Sequence, residues 1–132
     1  MSEENLDTIR RLYELWNGEQ GMLAAMPLFD PEIQYVNPES AIEPGTRQGI
    51  GGMVKALESV DGSFAEYVHE PERLLDAGGD KVLAYVVFRA HGRDSGASVE
   101  KPEQHVWTLR DGKIVRFEWF HDEDAARRAA GL

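Results

Sequence analysis

Apolar residues recur at helical spacing in three segments before the middle of the chain. The first segment ends at Asn17-Gly18, and a shorter apolar stretch from Met22 to Phe29 stops at Asp30-Pro31. A third segment places its apolar residues at the i, i+3, i+4, i+7 positions of a helix. The apolar positions of the first and third segments are Leu6, Ile9, Leu12, Tyr13, Leu15, Trp16 and then Ile50, Met53, Val54, Leu57. The pattern predicts three N-terminal helices.

The rest of the chain is patterned for strands. Two alternating runs flank Arg110-Asp111-Gly112-Lys113, an Asp-Gly hairpin signal, and an acidic-capped segment follows from Asp122 to Gly131. The segment from Pro38 to Gly49 has no periodicity and is predicted to be a loop, of a length typical of binding lids. The other predicted strands are Glu32 to Asn37, Ser63 to Asp76 and Lys81 to Gly92.

Helices followed by long hairpins predict an α+β domain in which a curved antiparallel sheet packs on the N-terminal helices. The chain has 132 residues, enough for one domain, 1–132, with a core of its own. The run from Val82 to Phe88 is apolar on both faces, so this sheet is expected to be covered on both sides. Helices cover one face, and a second subunit is the natural cover for the other, which predicts a homodimer.

Composition narrows the class of partner. The formal net charge of −10, from 24 acidic and 14 basic residues, opposes binding to nucleic acid or to an anionic membrane. The chain has no cysteine, so disulfides and thiolate chemistry are excluded. No run of about 18 apolar residues and no signal-peptide pattern occurs, and a cytoplasmic protein is expected.

No cofactor or metal is expected from the motifs. His69, His91 and His105 fall one to a strand, without metal-ligand spacing to an acidic residue. The glycine-rich run from Gly49 to Gly52 lacks the lysine and the spacing of a phosphate-binding loop.

The order of elements resembles the nuclear-transport-factor-two-like superfamily, and within it the SnoaL-like polyketide cyclases, ketosteroid isomerases and limonene epoxide hydrolases. The resemblance covers nearly the whole chain and rests on Ile9-Arg-Arg-Leu-Tyr-Glu-Leu-Trp-Asn17, Leu28-Phe-Asp-Pro-Glu-Ile-Gln-Tyr-Val-Asn-Pro38, His105-Val-Trp-Thr-Leu-Arg-Asp-Gly-Lys-Ile-Val115 and the Ala-Ala-Gly-Leu ending. It implies a cone-shaped fold whose open end holds a small hydrophobic molecule and whose convex sheet face dimerises. The superfold hosts unrelated chemistries, so the resemblance does not identify the reaction.

Two chemistries of the superfamily are disfavoured by residue type. The ketosteroid isomerase pattern places its tyrosine at Tyr13, its carboxylate base at Asn37 and its carboxylic acid at Gln104. An amide does not accept a substrate proton at neutral pH, so the base is missing. Tyr35 and Asn37 match the Tyr-x-Asn pair of epoxide hydrolases better, but the water-activating aspartate falls near Trp119, and Ala84 to Phe88 holds no charged residue.

SnoaL-like cyclases are described by a histidine and an aspartate inside the pocket, for which the candidates are His105, and His121 with Asp122 or Asp124. By the family's register, Phe117, Trp119 and His121 point into the cone. Gln104, Val106 and Thr108 are expected to point inward from the preceding strand, which sends His105 and Trp107 to the convex face.

The leading hypothesis is a pocket protein for a small, largely apolar molecule. The expected pocket residues are Trp16, Met53, Leu57, Phe88, Phe117 and Trp119 as walls, with Tyr13, Tyr35, Asn37, Gln104 and His121 as polar contacts. If the protein is an enzyme, it is expected to isomerise or cyclise a small carbonyl compound, with Tyr13 donating to the oxyanion and His121 as the base. The alternatives are a non-catalytic binding or interaction domain, and a dimer whose cone is filled.

Overall fold

The computed structural model describes residues 2–41 and 43–132, except for the side chains of residues 2, 60, 61 and 63. Residue 42 of the predicted loop lies outside the described part. The helices are α1 (Ser2–Trp16), α2 (Met22–Ala25), α3 (Gly49–Ser63) and α4 (Glu123–Ala130), with a 3₁₀ turn at Met26–Leu28. The strands are β1 (Phe29–Asn37), β2 (Gly45–Gln48), β3 (Phe64–Gly78), β4 (Lys81–Gly92), β5 (Ser98–Arg110) and β6 (Lys113–Phe120).

The strands form one 6-stranded sheet in the order β2-β1-β6-β5-β4-β3. All neighbouring strands are antiparallel except β1 and β6, which are parallel. The N-terminal helices pack on one face of this sheet, so the predicted α+β class is confirmed. The predicted loop from Pro38 to Gly49 was partly wrong, because β2 lies within it and pairs with β1 from Gln34↔Gln48 to Asn37↔Gly45.

Helix α1 is joined to the far strand of the sheet at its C-terminal end. Its apolar face is buried, with Ile9 and Leu12 at 0% exposure. Asn17 then ends the helix and its side chain bonds both backbone groups of His69 on β3, donating to the carbonyl at 2.7 Å and accepting from the N–H at 2.9 Å. This pair fixes α1 against the strand that carries His69.

The hairpin between β5 and β6 contains a bulge that sets which side chains face the helices. Asp111 and Gly112 have φ of 52° and 79°, the left-handed backbone that an Asp-Gly turn requires. Leu109 pairs with Ile114, but Thr108 pairs with Arg116, which leaves Val115 as an extra residue on β6.

Beyond the bulge, Trp107 lies opposite Phe117 and His105 opposite Trp119. The expected inward orientation of Gln104, Val106 and Thr108 was therefore wrong, and His105 and Trp107 share the inner face with Phe117. An unbroken ladder from the turn would have placed Val106 opposite Phe117, which is the source of the error.

Helix α4 covers part of the other sheet face. Asp122 caps it by accepting the N–H of Asp124, and Gly131 ends it at φ 84°. Its buried residues Ala126 and Ala130 pack against Leu83 and Val106. Helix α4 thus explains part of the two-sided apolar pattern of β4 without a second subunit. The homodimer remains a prediction. Among the described residues, no helix is long and apolar enough to span a membrane.

Candidate functional site

A cavity of about 420 Å³ lies between the inner face of the sheet and the helices. Most of its wall is aromatic or aliphatic, and its polar groups are concentrated on β3, β5 and β6. The lining residues are Trp16, Tyr35, Leu57, Phe64, His69, Phe88, Val99, Lys101, Glu103, His105, Phe117, Trp119 and His121. The structure thus brings together most of the predicted pocket residues, namely Trp16, Tyr35, Leu57, Phe88, Phe117, Trp119 and His121.

Gln104 does not contribute to the cavity. It pairs with Tyr85 on one side and Phe120 on the other, on the sheet face opposite the cavity. It is 7% exposed and its Oε1 has no hydrogen-bond partner among the described residues. The prediction that Gln104 contacts a ligand was therefore wrong. Met53 is 1% exposed within the main core and is not among the lining residues.

Tyr13 lies behind the cavity wall. Its side chain is 1% exposed and its hydroxyl lies 2.6 Å from Nδ1 of His105, while Nε1 of Trp107 donates to it at 2.9 Å. Burial raises the pKa of the Tyr13 phenol well above its ordinary value, against the opposing effect of the Trp107 hydrogen bond. The hydroxyl is protonated, enclosed and fully engaged, so the geometry does not present Tyr13 to a ligand.

The polar centre of the cavity is Glu103, a carboxylate surrounded by three imidazoles. Its Oε1 lies 2.9 Å from Nε2 of His105 and 3.8 Å from Nε2 of His69. Its Oε2 lies 3.4 Å from Nε2 of His121. Glu103 is only 9% exposed and His105 is 0% exposed, whereas the His121 side chain is 38% exposed. The cluster therefore runs from a buried floor to a partly open mouth.

The hydrogen-bonding capacity of each group determines which atoms of this network carry hydrogens. An ionised carboxylate only accepts, so Nε2 of His105 carries the hydrogen that bonds Glu103. The indole of Trp107 only donates, so it occupies one lone pair of the Tyr13 oxygen. Nδ1 of His105 is then the acceptor for the Tyr13 hydroxyl, because a hydrogen on Nδ1 would leave the phenol proton without an acceptor among the described residues. The chain of donors runs from Trp107 through Tyr13 and His105 to Glu103.

Glu103 and His69 differ in charge at neutral pH, because their surroundings shift the two pKa values. Burial alone would raise the pKa of Glu103, but hydrogen bonds from His105 and His121 and the electrostatic attraction of the His105 and His69 imidazoles outweigh it and hold that pKa well below its ordinary value. Burial and the neighbouring His105 lower the pKa of His69 to about 3, against the attraction of Glu103. At neutral pH the cavity thus contains an ionised carboxylate beside an uncharged His69.

Tyr35 carries a hydroxyl that is available to a ligand. It lines the cavity from β1 at 5% exposure, and its ring packs on Phe117 with 5.1 Å between centroids. Burial and the negative charge of Glu103 raise its pKa above the ordinary value, so the hydroxyl keeps its proton. It forms no hydrogen bond with another described residue, which distinguishes it from Tyr13.

Hydrogen bonds from Asn37 hold the residues at the mouth of the cavity in place. Asn37 accepts from Nε1 of Trp119 at 2.7 Å and donates to the carbonyl of Glu43 at 2.9 Å. Arg47 donates to the same carbonyl at 3.2 Å. Asn37, predicted as a pocket contact, is not among the lining residues and instead positions Trp119.

A second, more open groove of about 510 Å³ lies beside the site. It is bordered by the loop after α1 and by the start of β3, and it shares only Trp16 and Leu57 with the cavity. Nε1 of Trp16 is buried without a partner among the described residues, and its ring stacks on His69 with 4.0 Å between centroids. Glu103 and the three imidazoles line the cavity and not the groove, so the cavity is the candidate site.

His69, Glu103 and His105 are close enough to be considered for metal binding. One ligand atom from each lies within 4.8 Å of the others. Both ring nitrogens of His105 and both oxygens of Glu103 are nevertheless engaged in hydrogen bonds within the protein. Hydrogen bonding accounts for these groups without an ion.

Sequence reasoning missed Glu103, His69 and His105 as cavity residues. The predicted register of β5 was wrong by one residue. It therefore placed the amide of Gln104 in the cavity instead of the carboxylate of the adjacent Glu103. The available signal was the alternation Glu103, His105, Trp107, Leu109, which continues the same face of β5 into the buried core.

The chain matches the SnoaL-like domain family over residues 9–117. It is similar in structure to TerC, co-crystallised with polyporic acid, at 22% identity and a TM-score of 0.78, covering 98% of this chain and 99% of TerC. A SnoaL-like polyketide cyclase described as putative, from Jannaschia, is 19% identical over 99% of this chain and 94% of its own, with a TM-score of 0.78. A protein of ketosteroid isomerase-like fold from Catenulispora acidiphila, in complex with trimethylamine, is 17% identical over 96% and 93%, with a TM-score of 0.74.

Comparison with curated proteins gives no match. The cone-like α+β architecture is that of the nuclear-transport-factor-two-like fold. The chain belongs to the SnoaL-like family, as its sequence indicated.

Proposed function

We propose that the protein is an isomerase or cyclase that removes a proton next to the carbonyl group of a small, hydrophobic ligand. The observation that carries this proposal is Glu103, an ionised carboxylate bonded to His121 inside a largely apolar cavity. From the sequence, the carboxylate positions of the related enzymes were expected to be neutral, which supported the alternative of a non-catalytic domain. Glu103 supplies a carboxylate within the cavity.

His121 is the proposed base. Its Nε2 donates to Glu103, so Nδ1 is left as the acceptor and takes the proton from the ligand carbon. Glu103 fixes this tautomer and balances the charge of the imidazolium that forms. Tyr35, rather than Tyr13, donates its free hydroxyl to the enolate oxygen. Isomerisation returns the proton to a different carbon. In cyclisation the carbanion attacks a second carbonyl carbon, and the proton goes to the new alkoxide.

Proton exchange tests this role without knowledge of the natural ligand. Exchange of the α-protons of 2-tetralone or 2-indanone in D₂O, followed by NMR, is expected to be faster with protein than in matched buffer. His121→Gln and Tyr35→Phe should each lower the accelerated rate about a hundredfold, a typical contribution of a general base and of an oxyanion donor. His91→Gln removes an exposed histidine from β4 and should have no effect.

A His121→Gln rate equal to that of the unchanged protein would refute the base. The competing function is non-catalytic binding, which is favoured by the way Glu103 and His105 satisfy each other's hydrogen bonds. Binding of these ketones with no acceleration of exchange would support that alternative.

A further inference from the structure

We propose that Lys101 anchors an anionic group of the ligand at the mouth of the cavity. The substrate class would then be a hydrophobic carbonyl compound that also carries a carboxylate, sulfonate or phenolate. This inference rests on the ligand-binding role of the cavity proposed above, and it adds the charge of the ligand.

The alternation of side chains along β5 places Lys101 on the same face as Glu103 and His105. From the mouth to the floor, β5 presents Lys101, Glu103, His105 and Trp107 on its inner face. Lys101 is exposed, Glu103 is 9% exposed and His105 is 0% exposed. Successive residues on one face of a strand are separated by about 7 Å, so an anchor at Lys101 lies roughly one ring away from the level of Glu103.

Lys101 is unpaired within the part of the chain that the structure describes, despite the acidity of the protein. Among the described residues that line the cavity, it is the one lysine or arginine. It forms no hydrogen bond or ion pair with another described residue, although the chain has 24 acidic residues. Nearby Arg89, by contrast, is paired with Glu70 and with Glu100 at 3.0 Å. The ammonium group of Lys101 is thus available to a ligand.

The surroundings of Lys101 favour an ion pair with a ligand over one with the protein. Its direct neighbour across β4 is Phe88, and Val99 precedes it on the same face, so the adjacent wall is apolar. The nearest acidic group along that face is Glu103, whose oxygens are taken by His105 and His121. A ligand that fills the apolar wall would bring its anion to an unpaired cation.

A pair of fluorescent probes tests this inference at equilibrium. The anionic probe 8-anilinonaphthalene-1-sulfonate and the neutral N-phenyl-1-naphthylamine share one ring system and differ by the sulfonate. The unchanged protein is expected to prefer the anion. Lys101→Met should weaken binding of the anion about two- to fivefold, the upper part of the range for an exposed ion pair, and leave the neutral probe unaffected. Lys101→Arg should retain the preference.

Lys55→Met is the matched control. Lys55 is exposed on α3, does not line the cavity and has no hydrogen bond or ion pair with a described residue, so its loss changes the net charge by the same amount. Equal weakening by Lys55→Met and Lys101→Met would reduce the effect to overall charge and overturn the proposal. Equal affinity of the unchanged protein for both probes, or binding of neither, would also overturn it. Because no turnover is measured, a negative proton-exchange result leaves this test intact.

Discussion

Replacement of His69 by glutamine removes a buried imidazole whose protonation opposes folding. His69 is 7% exposed, stacked on Trp16, and its Nδ1 has no partner among the described residues. Burial and the nearby His105 lower its pKa to about 3 from the 6.5 of an unperturbed histidine. The folded protein therefore holds His69 uncharged over a pH range in which the unfolded chain takes up a proton.

The sign and size of the effect follow from this difference. Because the unfolded state binds the extra proton, the contribution of His69 to the free energy of unfolding is complete above pH 6.5 and is lost as the pH falls towards 3. One pH unit is worth about 1.4 kcal/mol, so the loss at pH 5.0, about 1.5 units below the unfolded value, is about 2 kcal/mol.

Urea unfolding at pH 7.5 and pH 5.0, followed by tryptophan fluorescence, measures the difference. The unchanged protein should lose about 2 kcal/mol more between these values than His69→Gln, whatever the stability of the variant at pH 7.5. With an m-value of about 1–3 kcal/mol/M, the extra loss is a shift of roughly 1 M in the urea midpoint. His91→Gln, which removes an exposed histidine, should keep the pH dependence of the unchanged protein.

The difference between the two proteins does not contain the pH dependence of the titratable groups that they share. Acidic side chains titrate mostly below this pH interval in the unfolded chain, and the remaining histidines are present in both proteins. If His69→Gln loses as much stability as the unchanged protein, His69 is protonated normally within the fold. The account of an uncharged imidazole beside Glu103 would then be wrong.

Three further predictions concern the supports of the cavity and the assembly. Tyr13→Phe leaves the imidazole of His105 and the indole of Trp107 without their hydrogen-bond partner and should lower the free energy of unfolding in urea by about 1–3 kcal/mol. The control Tyr85→Phe removes a more exposed hydroxyl and should lower it by under about 1 kcal/mol. Equal losses would contradict the enclosed network. Asn37→Ala frees the indole N–H of Trp119, which should shift that NMR signal and speed its hydrogen exchange while costing at most about 1 kcal/mol; an unchanged indole signal would disprove the bond. Sedimentation at micromolar concentration should show a dimer, and a species of monomer mass alone would refute the homodimer.

The helices and the hairpin turn could be predicted because their signals are local. Apolar spacing within α1 and the Asp111-Gly112 pair each specify a structure over a few residues. The acidic cap at Asp122 and Gly131 at the end of α4 are likewise signals contained in one segment. Strand β2 carries no such signal, since its four residues alternate weakly and acquire their structure from pairing with β1.

The chemistry of the cavity could not be predicted in the same way, because it depends on contacts between distant strands. Glu103, His69 and His105 come together only after β3, β4 and β5 are paired in the correct register. The bulge at Val115 shifts the register between β5 and β6 by one residue relative to an unbroken ladder. Residues on β6 were assigned to the correct face, while those on β5 were assigned to the opposite one.

The position of this bulge makes the hairpin tolerant of a change in its length. Removal of the single residue Val115 would leave Leu109 opposite Ile114 and Thr108 opposite Arg116, now as consecutive pairs of an unbroken ladder. Trp107 would stay opposite Phe117, so both strands would keep the same faces towards the cavity. A one-codon deletion at this point would thus leave every functional group on its wall, an evolutionary step that needs no compensating substitution.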